Sequence, residues 1–195
     1  MINNFKVIPV VVLNDENDAK EKLSKLVEGN LLVAEITFRT EYAKEGIKFA
    51  VNNYPEIYVG AGTVINIKQC KEAIDAGAKF IVSPGFSKEI CLYCKEVNIP
   101  YIPGCVTPTE IIEAIKYNIE IIKFFPANIY GGLEAIKALS SVFPKIKFLP
   151  TGGINQSNLK EYLDNDRIFA VGGSWMMKGD IVKNCQEINK IINKK

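Results

Sequence analysis

The sequence predicts a single domain of the α/β class, a compact (β/α)8 TIM barrel that spans residues 1–195. Eight short apolar segments alternate with segments in which apolar residues recur at helical spacing. The short segments are apolar throughout, which is typical of parallel strands covered by helices. Their ends recur every 20 to 28 residues between Thr37 and Val171, and eight such units close naturally into a barrel.

Each strand and helix follows from a local pattern. The predicted strands are residues 7–13, 31–40, 57–64, 80–85, 101–104, 119–127, 147–153 and 168–174. The first helix places Ala19, Leu23 and Leu26 on one face and ends at Gly29. The fifth helix begins with TPTE at residues 107–110, a capping box with proline at the first helical position. The inward positions of the remaining helices are Ala43, Ile47, Ala50 and Val51; Cys70, Ala73 and Ile74; Ile90 and Val97; Leu133, Ile136 and Leu139; Leu159, Tyr162 and Leu163; and Ile181, Cys185, Ile188 and Ile192.

An open, doubly wound sheet is the alternative arrangement for alternating strands and helices. That fold would require a glycine fingerprint in the first strand–helix turn. In this chain the glycines cluster in the last two strands instead, and no linker indicates a second domain. The pattern therefore favours the barrel.

The composition excludes several classes of function. The net charge is +2 and the charges are scattered, so nothing predicts a surface for nucleic acid or an acidic partner. The absence of histidine excludes Ser-His-Asp catalysis and zinc sites that need imidazole. No stretch approaches membrane-spanning length, and the apolar run at residues 7–13 is too short for a signal sequence. We expect a soluble cytoplasmic protein that does not bind membranes.

The five cysteines are dispersed along the chain, and two of them, Cys91 and Cys94, form a CxxC motif in a predicted helix. We interpret them as small buried apolar residues in a reducing compartment rather than as a redox or metal site.

A lysine, Lys123, stands in the middle of the sixth strand, IEIIKFFPA. Lysine is rarely buried without a partner, because desolvation of the ammonium group is costly and favours loss of its proton. A neutral amine in an apolar pocket can form a Schiff base with a carbonyl substrate. A side chain that extends to solvent and a structural ion pair are the alternatives.

Further polar residues lie at the carboxyl ends of strands, where barrel enzymes have their active sites. Alternation along the second strand sends Glu35, Thr37 and Arg39 to the same side, and Thr63 ends the third strand. We expect these groups to share a cavity with Lys123. Glu35 as a mere ion-pair partner and Thr37 as a structural hydrogen-bond donor remain open alternatives.

Glycine pairs end the last two strands, in Thr151-Gly152-Gly153 and Gly172-Gly173-Ser174. Glycine lets backbone amides approach a ligand closely, and the loops after strands seven and eight form the usual phosphate site of such barrels. The two pairs together predict a phosphate site.

Several segments also resemble, in order along nearly the whole chain, the 2-keto-3-deoxy-6-phosphogluconate (KDPG) aldolases and their 4-hydroxy-2-oxoglutarate aldolase relatives. The segments are EITFRT, GAGTV, FIVSPGF, IPGCVTPTE, IIKFFPA, LPTGGI and VGGSW. The resemblance implies a class I aldolase on a (β/α)8 barrel, usually a homotrimer. Such an enzyme needs no metal or other cofactor, because the protonated imine acts as the electrophile.

The same resemblance assigns roles to individual residues. Lys123 would be the Schiff-base lysine and Glu35 the general acid/base. The remaining assignments are Arg39 and Thr63 to the substrate carboxylate, Pro84 and Phe125 to the pocket wall, Thr151 to the sugar-acid chain, and Gly152, Gly153 and Ser174 to the phosphate group.

The predicted reaction is reversible cleavage of KDPG to pyruvate and glyceraldehyde 3-phosphate, with 4-hydroxy-2-oxoglutarate as a further candidate substrate. An aldolase for the galactonate epimer is one alternative. The others are a different phosphosugar enzyme that uses Lys123 electrostatically, and a barrel that binds a phosphosugar without catalysis.

Overall fold

The computed structural model describes residues 2–193, in which eight strands alternate with eight α-helices. The strands are β1 (Val7–Val11), β2 (Val33–Thr37), β3 (Tyr58–Gly62), β4 (Ile81–Val82), β5 (Tyr101–Ile102), β6 (Ile121–Phe124), β7 (Lys147–Pro150) and β8 (Val171–Gly173). The helices are α1 (Glu16–Glu28), α2 (Ala43–Asn53), α3 (Ile67–Asp75), α4 (Lys88–Glu96), α5 (Pro108–Lys116), α6 (Gly132–Val142), α7 (Leu159–Leu163) and α8 (Ile181–Asn193). Short 3-10 helices cover Ile2–Asn4 and Trp175–Met177. Within this range the structure has no helix with the length and apolar character needed to cross a membrane.

The strands pair in parallel and close into a barrel. Six of them form one sheet in the order β5-β4-β3-β2-β1-β8, and β6 pairs with β7. A bridge between Gly104 and Lys123 joins β5 to β6, and a bridge between Thr151 and Gly172 joins β7 to β8. The Lys123 N–H also donates to the Pro103 carbonyl at 2.8 Å. The predicted (β/α)8 barrel is therefore confirmed.

The observed strands are shorter than the predicted ones. The second strand ends at Thr37 instead of residue 40, and β4 contains only Ile81 and Val82. Beyond Thr37 the chain leaves the ladder, and the Thr40 hydroxyl donates to the carbonyl of Leu13 in the neighbouring loop. Apolar loop residues that pack on the barrel give the same sequence signal as strand residues, because hydrophobicity reports burial rather than backbone pairing.

Helix starts agree with their sequence signals. The Thr107 hydroxyl accepts from the Glu110 N–H, and the Glu110 carboxylate accepts from the Thr107 N–H at 2.9 Å. Pro108 occupies the first turn, as the capping box predicts. Asp15, Asn66 and Ser87 cap α1, α3 and α4 in the simpler one-bond manner.

The barrel interior has an apolar floor with a polar layer above it. Val33, Phe80 and Leu149 belong to the buried cluster that fills the N-terminal half. Two residues further along their strands, Val33 is followed by Glu35 and Leu149 by Thr151, both buried. Side chains alternate along a strand, so the inward position changes from apolar to polar toward the carboxyl end. The fold thereby places Glu35 and Thr151 over an apolar base.

Candidate active site

Lys123 of β6 and Glu35 of β2 form an ion pair inside the barrel. Lys123 Nζ lies 3.0 Å from Glu35 Oε1, and the two side chains are 4% and 0% exposed. Every other ion pair found within residues 2–193 has side chains that are at least one-fifth exposed. The burial excludes a Lys123 side chain that extends to solvent, and the distance permits direct proton transfer between the two groups.

Gly62, at the end of β3, provides the space that Glu35 occupies. A Cβ atom on Gly62 would lie 2.1 Å from Glu35 Oε1, so a larger residue would displace the carboxylate. Thr37 stands opposite Gly62 in the pairing of β2 with β3. The buried Thr37 hydroxyl donates to the Val11 carbonyl at 3.3 Å. This bond agrees with the alternative role of Thr37 as a structural hydrogen-bond donor.

Arg39 and Thr63, predicted to bind a carboxylate, contact each other. Arg39 Nε donates to Thr63 Oγ1 at 3.2 Å, and the arginine side chain is exposed. Thr63 has a φ of 56°, a left-handed conformation that a β-branched residue rarely adopts. Strained backbone of this kind is concentrated at functional sites, where the surrounding structure maintains it.

A cavity of about 290 Å³ lies at the carboxyl ends of β6, β7 and β8. The predicted site residues in its lining are Arg39, Phe125, Thr151, Gly152, Gly153 and Ser174. Gly152 and Gly153 have φ angles of 99° and 72°, which favour glycine. Within residues 2–193, no hydrogen bond is found from the backbone N–H groups of Gly153 and Ser174, while the Gly152 N–H faces β8, where Thr151 forms its bridge with Gly172. Unpaired amides beside a cavity are a suitable arrangement for binding an anion.

Phe125 connects the cavity with the ion pair. Its half-buried ring lines the cavity, and the ring centroid lies 5.4 Å from Lys123 Nζ. The aromatic face offers the ammonium group a favourable electrostatic contact and restricts access of water to it.

Two buried oxygen atoms of the site have no hydrogen-bond partner in the described part of the chain, Glu35 Oε2 and Thr151 Oγ1. Buried polar atoms are nearly always paired in proteins, and exceptions occur where a ligand or water supplies the partner. Thr151 also lines the cavity. The protein therefore leaves the hydrogen-bonding capacity of these two atoms unused.

Pro84 follows β4 and is exposed, outside the lining of the cavity. The loop that carries it is held by Tyr101, whose hydroxyl accepts from the Ser87 N–H at 3.1 Å and donates to the Gly85 carbonyl at 3.4 Å. Burial raises the pKa of Tyr101 to about 12, so the phenol stays protonated and keeps both hydrogen bonds at neutral pH.

Five further residues line the cavity and were not predicted as site residues, and the two with large or charged side chains after β8 are Trp175 and Lys178. Both follow β8 in the segment WMMKG. The sequence does carry a signal for Lys178, a cation four residues after a Gly-Gly-Ser strand end. This sequence signal is weak, because lysine is common in loops of this chain.

A second cavity, of about 420 Å³, lies at the opposite end of the barrel. Its wall is mainly apolar and includes Ile115, Ile119, Val142 and Phe143, which precede or flank the starts of β6 and β7. Although this cavity is larger, barrel enzymes carry their chemistry at the carboxyl ends of the strands. The smaller cavity, which Phe125 connects to Lys123, is therefore the candidate site, although Lys123, Glu35, Thr37 and Thr63 do not themselves line it, contrary to the prediction from the sequence.

The cysteines take no part in this site. All five are buried free thiols, as predicted, and Cys70 Sγ lies 3.6 Å from Cys94 Sγ between α3 and α4. Within residues 2–193, no group of three or more Cys, Asp, Glu or His side chains is arranged to hold a metal ion.

Comparison with known proteins identifies the family. The family model described as KDPG and KHG aldolase matches residues 1–193. The chain belongs to this aldolase family. Among its relatives, the 2-dehydro-3-deoxy-phosphogluconate aldolase of Treponema pallidum (strain Nichols) is 40% identical over 176 residues, which cover 90% of this chain and 84% of the relative.

Solved structures of family members match the barrel closely. The KDPG aldolase of Zymomonas mobilis ZM4 with 3-phosphoglycerate superposes with a TM-score of 0.90 at 37% identity, covering 95% of this chain and 91% of that one. The KDPG aldolase of Legionella pneumophila, with pyruvate captured as a covalent carbinolamine, superposes with a TM-score of 0.88 at 38% identity, covering 97% and 93%.

Proposed function

We propose that this chain is a class I aldolase that cleaves KDPG to pyruvate and glyceraldehyde 3-phosphate. The observation that carries the proposal is the buried ion pair between Lys123 and Glu35 in a member of the KDPG and KHG aldolase family. The carbinolamine of the Legionella relative supports covalent attachment of pyruvate as the chemistry. We propose that the same site also binds and cleaves 4-hydroxy-2-oxoglutarate, because the family includes KHG aldolases.

The proposed reaction begins with one proton transfer. Lys123 Nζ passes a proton to Glu35, 3.0 Å away, and the neutral amine attacks the C2 ketone of the substrate. Glu35 then protonates the departing hydroxyl, so the carbinolamine loses water and becomes a protonated imine. This imine is an electron sink, which makes a metal ion unnecessary.

Cleavage of the C3–C4 bond follows. Glu35, directly or through a water molecule, removes the proton of the C4 hydroxyl, and the bonding electrons move into the imine. Glyceraldehyde 3-phosphate leaves and an enamine of pyruvate remains on Lys123. Protonation at C3 and hydrolysis of the imine release pyruvate and restore the amine.

Substrate binding is assigned to the surrounding residues. The Arg39 guanidinium, beside Thr63, offers a planar fork for the carboxylate next to C2. Phe125 forms a wall of the pocket, and Thr151 Oγ1, which lacks a partner in the described part of the chain, binds a hydroxyl of the sugar-acid chain. The backbone amides of Gly152, Gly153 and Ser174, at the edge of the cavity, bind the phosphate group.

Borohydride trapping tests the proposal directly. Pyruvate with borohydride should inactivate the protein and attach a pyruvate-derived adduct to Lys123 alone, as read by peptide mass spectrometry. Lys123→Met should lose both labelling and turnover. Lys123→Arg is the matched control for folding, since it keeps the buried charge beside Glu35 but cannot form an imine.

Labelling of another lysine, or no labelling of the parent despite turnover, would contradict the imine mechanism. Binding of KDPG without turnover would favour the non-catalytic barrel. Comparison of KDPG with its galactonate epimer decides between the two aldolase activities, and we expect the gluconate form to be cleaved faster.

We further propose that the enzyme is a cytoplasmic homotrimer. Ile112, Ile115 and Val142 are 51%, 42% and 67% exposed, which is unusual for large apolar residues and suits a subunit interface. The five free thiols fit a reducing compartment. Light scattering after gel filtration should give three times the chain mass of 21.7 kDa; the mass of a monomer would contradict the trimer.

A further inference from the structure

The cavity at the ends of β6, β7 and β8 is lined by two cations and no carboxylate. The cations are Arg39 and Lys178, and the other lining residues are neutral. Within residues 2–193, neither cation forms an ion pair with an acidic side chain. A neutral-walled cavity with two such cations is complementary to a ligand that carries negative charge on two groups, such as a carboxylate and a phosphate.

The two cations are not equivalent. Arg39 Nε already donates to Thr63 Oγ1, which directs its guanidinium toward the third strand. Lys178 follows β8, and its Nζ has no hydrogen-bond partner in the described part of the chain. Lys178 is therefore the cation of the lining that has no partner of its own, and it shares the cavity with Gly152, Gly153 and Ser174.

The backbone of Lys178 is held in place from two directions. Its N–H donates to the Trp175 carbonyl at 3.1 Å, and its carbonyl accepts from Asn184 Nδ2 of α8 at 2.8 Å. Asn184 Nδ2 also donates to the Met176 carbonyl at 3.2 Å. The loop is thus tied to a helix, so the base of the lysine side chain stays beside the cavity.

We infer that Lys178 is a specificity-determining residue that binds the phosphate group of the substrate and makes the enzyme prefer phosphorylated over unphosphorylated keto-acids. The inference rests on the proposed aldolase function and on the amide site at Gly152, Gly153 and Ser174. The amides position the phosphate oxygens, and the ammonium group neutralises their charge. A lysine suits this role because its compact charge on a flexible stem can follow the phosphate group into the cavity.

The test compares KDPG with 2-keto-3-deoxygluconate, which differs only by lacking the phosphate group. In Lys178→Met, the ratio of kcat/KM for KDPG to kcat/KM for the unphosphorylated substrate should fall about tenfold, the worth of one charge-assisted hydrogen bond. The loss should appear in KM, and Lys178→Arg should recover most of the ratio. Higher salt should raise the KM for KDPG more in the parent than in Lys178→Met, because it screens the charge that the variant lacks.

Lys183→Met is the matched control, because Lys183 is also exposed on the segment after β8 but does not line the cavity. It should leave the ratio unchanged. Inorganic phosphate, titrated calorimetrically, provides a readout independent of turnover, and its affinity should fall in Lys178→Met and not in Lys183→Met.

An unchanged ratio and unchanged phosphate affinity in Lys178→Met would overturn the inference. Ser174→Glu shows whether the proposed function fails with it, since a carboxylate at the amide site should repel the phosphate. If Ser174→Glu lowers the ratio while Lys178→Met does not, the phosphate site stands without Lys178. If neither variant changes the ratio, the phosphate lies elsewhere and the assignment of Gly152, Gly153 and Ser174 is wrong as well.

Discussion

Glu35 and Lys123 are charged residues in the core, where a pair of apolar residues would have no cost of desolvation. Taking both charges out of water costs several kcal/mol each, and their attraction repays this only with good geometry. The distance of 3.0 Å provides such geometry, yet Glu35 Oε2 remains without a partner. A pair retained in this incomplete state is better suited to exchange protons with a ligand than to stabilise the barrel.

We predict that Glu35→Gln lowers kcat about 10²- to 10⁴-fold, the usual contribution of general acid–base catalysis. Glutamine keeps the size and can accept a hydrogen bond from Lys123, but it cannot carry a proton between steps. Steady-state kinetics measure the loss, and slow borohydride trapping of pyruvate at Lys123 should persist. Near-parental turnover in the folded variant would leave Glu35 with a structural role only.

The space over Gly62 gives a second prediction. In Gly62→Ala, the added methyl group would lie 2.1 Å from the present position of Glu35 Oε1 and must displace the carboxylate. Misplacement of a catalytic group by about 1 Å can cost about 10²-fold in rate, so we expect kcat to fall by that order. Gly85→Ala is the comparison for folding, because no atom lies within 4 Å of its added Cβ. A Gly62→Ala enzyme with normal kcat would show that Glu35 need not stay where it is.

Among the elements, α5 shows most clearly how sequence signals determine local structure. Thr107 and Glu110 satisfy each other's backbone N–H groups, and Pro108 fits the first turn because its missing N–H has no role there. Burial acts to raise the pKa of Glu110, but hydrogen bonds from the Val106 and Thr107 N–H groups outweigh it and hold the pKa below its usual range. The carboxylate form therefore stabilises this helix start.

Removal of the cap should lower stability in a predictable way. Thr107→Ala should decrease the free energy of unfolding by about 1 kcal/mol, measured by urea denaturation with light scattering to confirm an unchanged molecular mass. Thr109→Ala, two positions along and exposed, has no cap to lose and should change it by less than about 0.5 kcal/mol. Equal effects of the two substitutions would contradict the role of the cap.

The lowered pKa of Glu110 adds a pH dependence with a definite sign. A carboxyl group whose pKa is lower in the folded state stabilises the fold above its unfolded pKa, and this contribution is lost as the pH falls through the folded pKa. The stability difference between the parent and Glu110→Gln should therefore be constant near neutrality and shrink below pH 4.5, the ordinary value for the group. A difference that grows on acidification would contradict the assignment.

At the scale of the whole molecule, folding of the barrel buries five cysteine thiols that lie far apart in the sequence. Burial raises the pKa of Cys105 to about 12 and that of Cys185 to about 11. Their thiolate fractions near pH 8 are therefore small, and the folded barrel also blocks access to them. Cys70 of α3 and Cys91 and Cys94 of α4 are equally inaccessible.

We predict that a disulfide reagent reacts with the native protein at pH 8 only at the rate of unfolding. All five thiols should then react together, because they become accessible in one cooperative event. Reaction in guanidinium chloride gives the reference of five equivalents for the chain. Rapid modification of one thiol in the native state would reveal a local opening that the burial of these residues does not indicate.

The sequence by itself determined the eight strand–helix units, the start of α5, the lysine in the sixth strand and the glycine pairs at the ends of the last two strands. Each is a local pattern, since periodicity, capping and turn residues act over a few positions. Only the tertiary structure decided that Lys123 contacts Glu35 across 88 residues, that Gly62 clears the space for that carboxylate, and that Lys178 joins Arg39 around one cavity. Such contacts depend on how far each strand is shifted against its neighbours when the barrel closes, and no single segment contains that information.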